Sequence, residues 1–342
     1  MLNRAEDITK AEIGSDGLGD FPAAPRPRDS LSFLEALLAS GLLISTGVEG
    51  VYGRSAVFEE VVARVNAMVG VWGAGKHVEM LRFPPAMNRK VLEASGFWQN
   101  CPEQIGTVFS FCGDDRDHQR LLKCLDNRDD WAEELKPSRL SMTPAACYPV
   151  YSIIAARGPL PEAGRIVDIL SYCFRHEPSI DPARMQMFRQ REFVRMGTAD
   201  QVQDFRKQLM EHASGMMRAL RLPATVEVAN DPFFGRAGKI VADIQRRQEL
   251  KYELLIPGIN AEKPTACASF NYHLDRFGEV WKITTDAGQV AHTGCVGFGL
   301  ERIALSLFKH HGLEAQGWPD DVRAALWVEE KRATAAPRSV VR

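Results

Sequence analysis

Apolar residues recur at three- and four-residue steps in two early stretches, SLSFLEALLASGLL and VYGRSAVFEEVVARVNAMVGVWG. Each predicts an amphipathic helix. Ser30 or Ser32 supplies a cap for the first, and Gly41 stops it. HVEMLRFPPAMNRKVLEASGF then reads as a strand, a proline turn and a short helix. Further on, TVFSFC, RIVDILSYCFRHE and MFRQREFVRMGT are extended runs. The last two, joined by PSIDPARMQ, predict a long antiparallel hairpin. Helices are predicted over ADQVQDFRKQLMEHASGMMRALRL and AGKIVADIQRRQEL. KYELLIPG, TACASFNYHLDRFG and WKITTD read as strands, and GFGLERIALSLFKHHG as a glycine-opened helix. Strand runs broken by helices predict an α+β fold, a mixed, mainly antiparallel sheet with helices packed on it.

Composition narrows this picture. The chain has 342 residues, 45% hydrophobic and 25% charged, enough to bury a sizeable core without a disulfide or metal staple. A net charge of −2 gives no whole-molecule positive field to attract RNA or an anionic membrane. No apolar run approaches transmembrane length, and the polar, proline-rich first 29 residues predict a disordered tail and no secretory leader. Cys101, Cys112, Cys124, Cys147, Cys173, Cys267 and Cys295 are odd in number and form no CxxC pair. Free thiols in a reducing cytoplasm, available as metal ligands, are the expectation.

Two constellations carry chemistry. In the hairpin, Phe174-Arg175-His176-Glu177 is followed by Arg191-Glu192-Phe193. An arginine on a sheet can clamp a phosphate, a carboxylate two residues on shares its face, and an aromatic on the paired strand offers a stacking surface for a base. Taken alone, the hairpin reads better as a surface ribbon with ordinary salt bridges. TGCVGFGLERIALSLF adds Gly294, Gly297 and Gly299 before a helix bearing Arg302. Glycines admit a phosphate to the backbone, and a helix N-terminus attracts anions. A strand-to-helix packing joint would use the same glycines, so the order of the two constellations is the stronger signal.

That order resembles the class II aminoacyl-tRNA synthetases. The first constellation is similar to their motif 2, and Gly297-Phe298-Gly299-Leu300-Glu301-Arg302 to their motif 3. SGFWQNCP, ending at Pro102, is a weaker match to motif 1, which lies at the family's dimer interface; YELLIPG and Ser269–Asn271 resemble strands of the seryl enzymes. The likeness covers roughly residues 80–310 and implies a synthetase-like catalytic domain over 30–330, with a helical insertion at about 199–250 and a flexible tail over 331–342. It implies that Arg175 holds the α-phosphate of ATP, Glu177 the adenine side and Arg302 the γ-phosphate. Phe193 would stack on the base, and Arg184 and Met185 would touch the nucleotide. Lys251, Ala266, Cys267, Ala268 and Ser269 would line the ATP pocket. Mg²⁺ would accompany the ATP, although Thr265 and Ala268 stand where seryl enzymes usually carry Glu and Ser.

MTPAAC also departs from the Thr-x-Glu of many relatives, and so lacks the carboxylate that grips the substrate amine. Cys147, Glu192 and Cys295 would meet in the amino-acid pocket. As residues alone they read as two buried thiols and a salt-bridged glutamate. The resemblance to the methanogen-type seryl enzymes, which hold zinc with Cys-Glu-Cys there, implies Zn²⁺ with a position open for an amino group. The chain shows no counterpart of those enzymes' tRNA-binding domain. It therefore resembles the truncated amino acid:[carrier protein] ligases, which implies activation of glycine or alanine and transfer to the phosphopantetheine thiol of an acidic carrier protein. The same resemblance implies a homodimer, with neither tRNA nor a membrane as partner. A minimal seryl-tRNA synthetase and a non-catalytic paralogue are the competing readings; intact Arg175, Glu177, Phe193 and Arg302 weigh against the paralogue. GRAGKIVADIQRRQELK, with Arg236, Lys239, Arg246, Arg247 and Lys251, reads equally as a docking face and as a solvated charged face.

Overall fold

A computed structural model describes residues 28–260 and 262–327. The two tails predicted from the sequence lie almost wholly outside these residues. Helix α1 (Arg28–Ala39) leads to the ribbon β1 (Leu43–Ser45) and β2 (Tyr52–Arg54), then α2 (Ala56–Gly70), capped by the Ser55 side chain. Strand β3 (Val78–Arg82) is followed by β4 (Ala86–Asn88), α3 (Arg89–Ala94), α4 (Phe97–Asn100) and a turn opened by Pro102. Next come β5 (Thr107–Phe111), α5 (Asp115–Asn127), β6 (Leu135–Met142) and α6 (Tyr148–Ala155). The predicted hairpin is β7 (Arg165–Phe174) and β8 (Met187–Gly197), paired antiparallel. Beyond it lie α7 (Ala199–Ala219), β9 (Thr225–Val228), α8 (Gly235–Arg247), β10 (Lys251–Ile256), β11 (Thr265–Tyr272), α9 (Arg276–Trp281), β12 (His292–Gly299), α10 (Leu300–His311) and α11 (Asp320–Leu326).

Seven strands form one sheet in the order β3-β7-β8-β12-β11-β10-β9, antiparallel except for β3 on β7. A small three-stranded sheet, β4-β6-β5, stands apart from it. The α+β reading holds. One face of the large sheet is sealed by α2, α7 and α10, and the main core lies there: Phe58, Val65, Trp72, Phe193, Phe205, Phe270, Phe298 and Phe308 pack together. A second core under α6 and α9 joins Val150, Tyr151 and Ile154 to Val194, Met196 and Phe277. Alternation along β8 and β12 therefore sends neighbouring residues to different layers.

Several sequence expectations change, and Ser30 and Ser32 lie within α1 and not at its start. WKITTD is not a strand: Trp281 ends α9, and only Thr284 bridges to Val290. The stretch 199–250 comprises unlike parts. Helix α7 is a structural layer against β8, β11 and β12, β9 extends the sheet edge, and α8 is an outlying helix. Helix α5 was not predicted; none of its residues is buried, and a capping box between Asp114 and Asp117 begins it. Among the described residues no helix is long and apolar enough to cross a membrane.

Candidate active site

A cleft of about 600 Å³ opens on the sheet face opposite α2, α7 and α10, with α8 and α9 at its flanks. Its first group is cationic. Arg175 follows β7, donates from Nε to the Pro144 carbonyl at 3.0 Å, and lies 5.5 Å from the centre of the Phe188 ring. Arg302, in the first turn of α10, donates to the carbonyls of Ala183 (2.8 Å) and Ala266 (2.9 Å). These bonds tie the β7–β8 loop to β11 and hold the guanidinium in place. Glu177 accepts from Gln104 Nε2 at 2.6 Å, with Arg184 3.9 Å away.

A second group sits below α8. Lys251 Nζ contacts Asp231 at 2.6 Å and Glu253 at 2.9 Å. Burial opposes both charges of the Lys251–Asp231 pair, but their attraction wins. Lys251 is held above its ordinary range, and Asp231 is pulled down to about 2. Gln245 of α8 accepts from the Asp231 amide and donates to its carboxylate, so the pair also anchors α8. Lys251 is thus occupied inside the cleft and does not belong to the basic outer face of α8.

The third group is Cys147, Glu192 and Cys295. Cys147 precedes α6, Glu192 lies on β8 and Cys295 on β12; one potential ligand atom from each lies within 4.8 Å of the others, and all three residues are buried. Glu192 Oε2 has no hydrogen-bond partner, an expensive state for a buried carboxylate oxygen. Gly297 pairs with Glu192 across the strands, and a Cβ there would stand 2.7 Å from Glu192 Oε1. A side chain there would push the Glu192 carboxylate out of its present place. Burial, reinforced by the nearby Cys295 acid, pushes Glu192 up to about 8. The hydrogen bond with Cys295, followed by burial, raises the Cys147 thiol well above its ordinary value; the same bond, with help from His273 and Asn271, lowers Cys295. Without a cation, three acids share one buried space. Two sulfurs, a carboxylate oxygen and an orphaned lone pair suit Zn²⁺.

Two of the predicted residues lie away from the cleft, Phe193 through strand alternation and Met185 through its loop. Phe193 is fully buried on the helix-covered face, with its ring centre 4.9 Å from that of Trp72. It cannot stack on a base in the cleft. Phe188 lines the cleft instead, and it shares the parity of Glu192 and Gln190 on β8. That parity was available from the sequence once Glu192 was assigned inward. Met185 is likewise in the main core, its sulfur 3.7 Å from Arg54 Nη2, because the adjacent Gln186 is pinned to the backbone of Glu49 and Gly50. Arg184, Lys251 and Ala266–Ser269 line the cleft as residues, although the Cys267 thiol faces Ser306 of α10 at 3.6 Å. Gln104, Asp231, Asn271 and His273 also line it. No local pattern marks them, since tertiary folding alone brings them there.

No family model matches the chain. It is 44% identical over 313 residues to amino acid–[acyl-carrier-protein] ligase 1 of Bradyrhizobium diazoefficiens, covering 92% of this chain and 94% of that protein. To ligase 2 of the same organism it is 44% identical over 304 residues, 89% and 90% of the two chains. A type-2 serine–tRNA ligase of Methanopyrus kandleri is 26% identical over 56% of this chain and 38% of its own length. Among solved structures, M. kandleri seryl-tRNA synthetase in complex with A. aeolicus tRNASec superposes with a TM-score of 0.74 at 18% identity. That match covers 93% of this chain and 63% of the synthetase, and establishes the class II fold. The two relatives that match along nearly the whole chain decide the family: this protein belongs to the amino acid–[acyl-carrier-protein] ligases.

Proposed function

We propose that this ligase activates glycine or alanine with ATP as an aminoacyl-adenylate and passes the aminoacyl group to the phosphopantetheine thiol of an acidic carrier protein. One observation carries the reading: Arg175, Arg302 and the Cys147–Glu192–Cys295 trio line a single cleft. The amino-acid carboxylate attacks the α-phosphorus of ATP and pyrophosphate leaves. Arg175 neutralises charge growing at the α-phosphate, and Arg302 does so at the departing end. Glu177 and Arg184 hold the adenine side, with the Phe188 ring as the stacking face. Lys251, Ala266 and Ser269 wall the nucleotide, and Mg²⁺ arrives with it. Cys147, Glu192 and Cys295 would hold Zn²⁺, which supplies a Lewis-acid grip for the neutral amino group of the substrate. Tyr148, His273 and Phe277 crowd that end of the cleft and select a small side chain by exclusion. The carrier thiol then attacks the mixed anhydride, forming the thioester and releasing AMP. An activated acyl donor needs no dedicated base here, and none is assigned.

Helix α8 supports the carrier half of the reading. Val241 and Ile244 line the cleft, Phe234 and Ile240 are exposed beside them, and Arg236, Lys239, Arg246 and Arg247 make the helix basic. An acidic carrier docked there would have its arm at the cleft mouth. The protein is taken to act as a homodimer with Pro102 near the interface, which light scattering reads directly.

Amino-acid-dependent ATP–pyrophosphate exchange tests the activation step. Exchange with glycine or alanine, lost in Cys147→Ser, is expected. Exchange with serine would favour a seryl-tRNA synthetase, and no exchange with any amino acid would end the adenylate reading.

A further inference from the structure

The two sulfurs of the trio are not equivalent. Cys295 Sγ lies 3.7 Å from His273 Nε2 and 3.4 Å from Asn271 Nδ2. On its other side, His273 Nδ1 is 3.1 Å from the Thr293 hydroxyl. The His273 ring is held edge-on by Phe277, with centres 4.9 Å apart, and by Tyr151 at 6.1 Å. Each contact restricts the imidazole from a different direction. Its backbone is fixed as well, because the His273 amide donates to the Thr293 carbonyl.

Hydrogen-bond logic then sets the tautomer. A metal-bound cysteine is a thiolate and can only accept. Nε2 must therefore carry the hydrogen toward Cys295, leaving Nδ1 to accept from the Thr293 hydroxyl. Ligand side chains in metal sites are commonly oriented by such outer partners, whose loss costs about 10–100-fold in metal affinity. Here the usual arrangement is inverted, since a histidine serves as the outer partner and a sulfur as the ligand.

We infer that His273 is a positioning residue for the metal grip: through Nε2–H it holds Cys295 at the angle the trio requires, and Thr293 fixes the imidazole. The inference rests on the proposed zinc reading. Nothing in it requires His273 to touch the amino acid or ATP.

The test uses the full chain, stripped of metal and titrated with Co²⁺ while the thiolate-to-cobalt absorption is followed. Zn²⁺ affinity is measured in parallel by chelator competition. The wild type is expected to take up one ion with a two-thiolate band. His273→Ala should weaken Zn²⁺ binding about 10–100-fold and shift the band. His273→Gln, whose amide nitrogen can replace Nε2, should recover most of the affinity. Thr293→Val should fall between them, and it leaves the imidazole in place should His273→Ala fold poorly. Wild-type affinity and an unchanged band in both His273→Ala and Thr293→Val would overturn the role of His273 while leaving the zinc grip intact. A wild-type protein that takes up neither ion would overturn both.

Discussion

Strand β8 serves two layers, and its alternate residues show how differently charge is handled on each. Facing α2 and α10, Arg189 is gripped by Glu59 and Glu301, and Arg191 by Asp168 with further donation to Asn66. Facing the cleft, Glu192 keeps an unpartnered oxygen, and Arg175 and Arg184 are only partly engaged. Buried charges that are fully paired lock the helices to the sheet. Those left short of partners, Glu192 one residue away in the same strand and Arg175 and Arg184 beside it in the β7–β8 connection, are positioned for something that arrives later.

Paired substitutions across this divide sharpen the contrast. Arg191→Ala leaves the buried Asp168 carboxylate with only the longer 3.7 Å contact to Arg82 and should cost roughly 3–5 kcal/mol in denaturant unfolding. Its folded fraction should still exchange pyrophosphate. Arg175→Ala should do the reverse, lowering the exchange rate by about 10²–10³ with the unfolding midpoint nearly unchanged. A similar stability loss in both would erase the distinction. Gly297→Ala probes the closest approach on the cleft side: the added methyl must displace Glu192, at a cost of about 1–3 kcal/mol. Metal affinity should fall more than stability, which parallel chelator and unfolding titrations resolve.

The smallest expected effect concerns a cleft-side pair that is satisfied, Lys251 with Asp231. Asp231 has a folded pKa of about 2, below the ordinary carboxylate value near ~4. Its stabilisation is therefore present above about pH 4 and lost as the pH falls toward 2. The Asp231 side chain is 37% exposed, so screening limits the contribution to about 1 kcal/mol. Asp231→Asn should be less stable than wild type at pH 7, and the two should converge only as the pH falls to about 2. A gap independent of pH would assign the loss to the Gln245 contact instead.

Much of this was legible before any coordinates. The hairpin, the glycine-opened α10 and the candidate trio follow from period-two and period-3.6 patterns together with a family likeness. Phe193 directly follows the Arg191-Glu192 pair, but strand parity turns the residue after an inward Glu192 to the core. Met185 sits in a loop, where no periodicity gives direction. Helix α5 was hidden because DDRDHQRLLKCLDN is dominated by charge and offers only a short apolar stripe. The small-to-medium contributors to the cleft, such as Gln104 and Asp231, depend on contacts more than seventy residues apart or on a buried lysine, neither of which a local pattern encodes.

The strand order has a consequence for how the molecule comes into being. Strand β12 is the last in sequence of the sheet's seven strands among the described residues, and yet the middle one, between β8 and β11. A growing chain has synthesised the other six before the slot between them can be filled. Until then, the facing edges of β8 and β11 are open to each other or to neighbouring chains, the situation in which nascent sheets misassemble. The same strand brings Cys295, so the Cys147–Glu192–Cys295 trio is assembled only when β12 fills that slot. A change that keeps β12 out of the sheet therefore removes Cys295 from the trio as well.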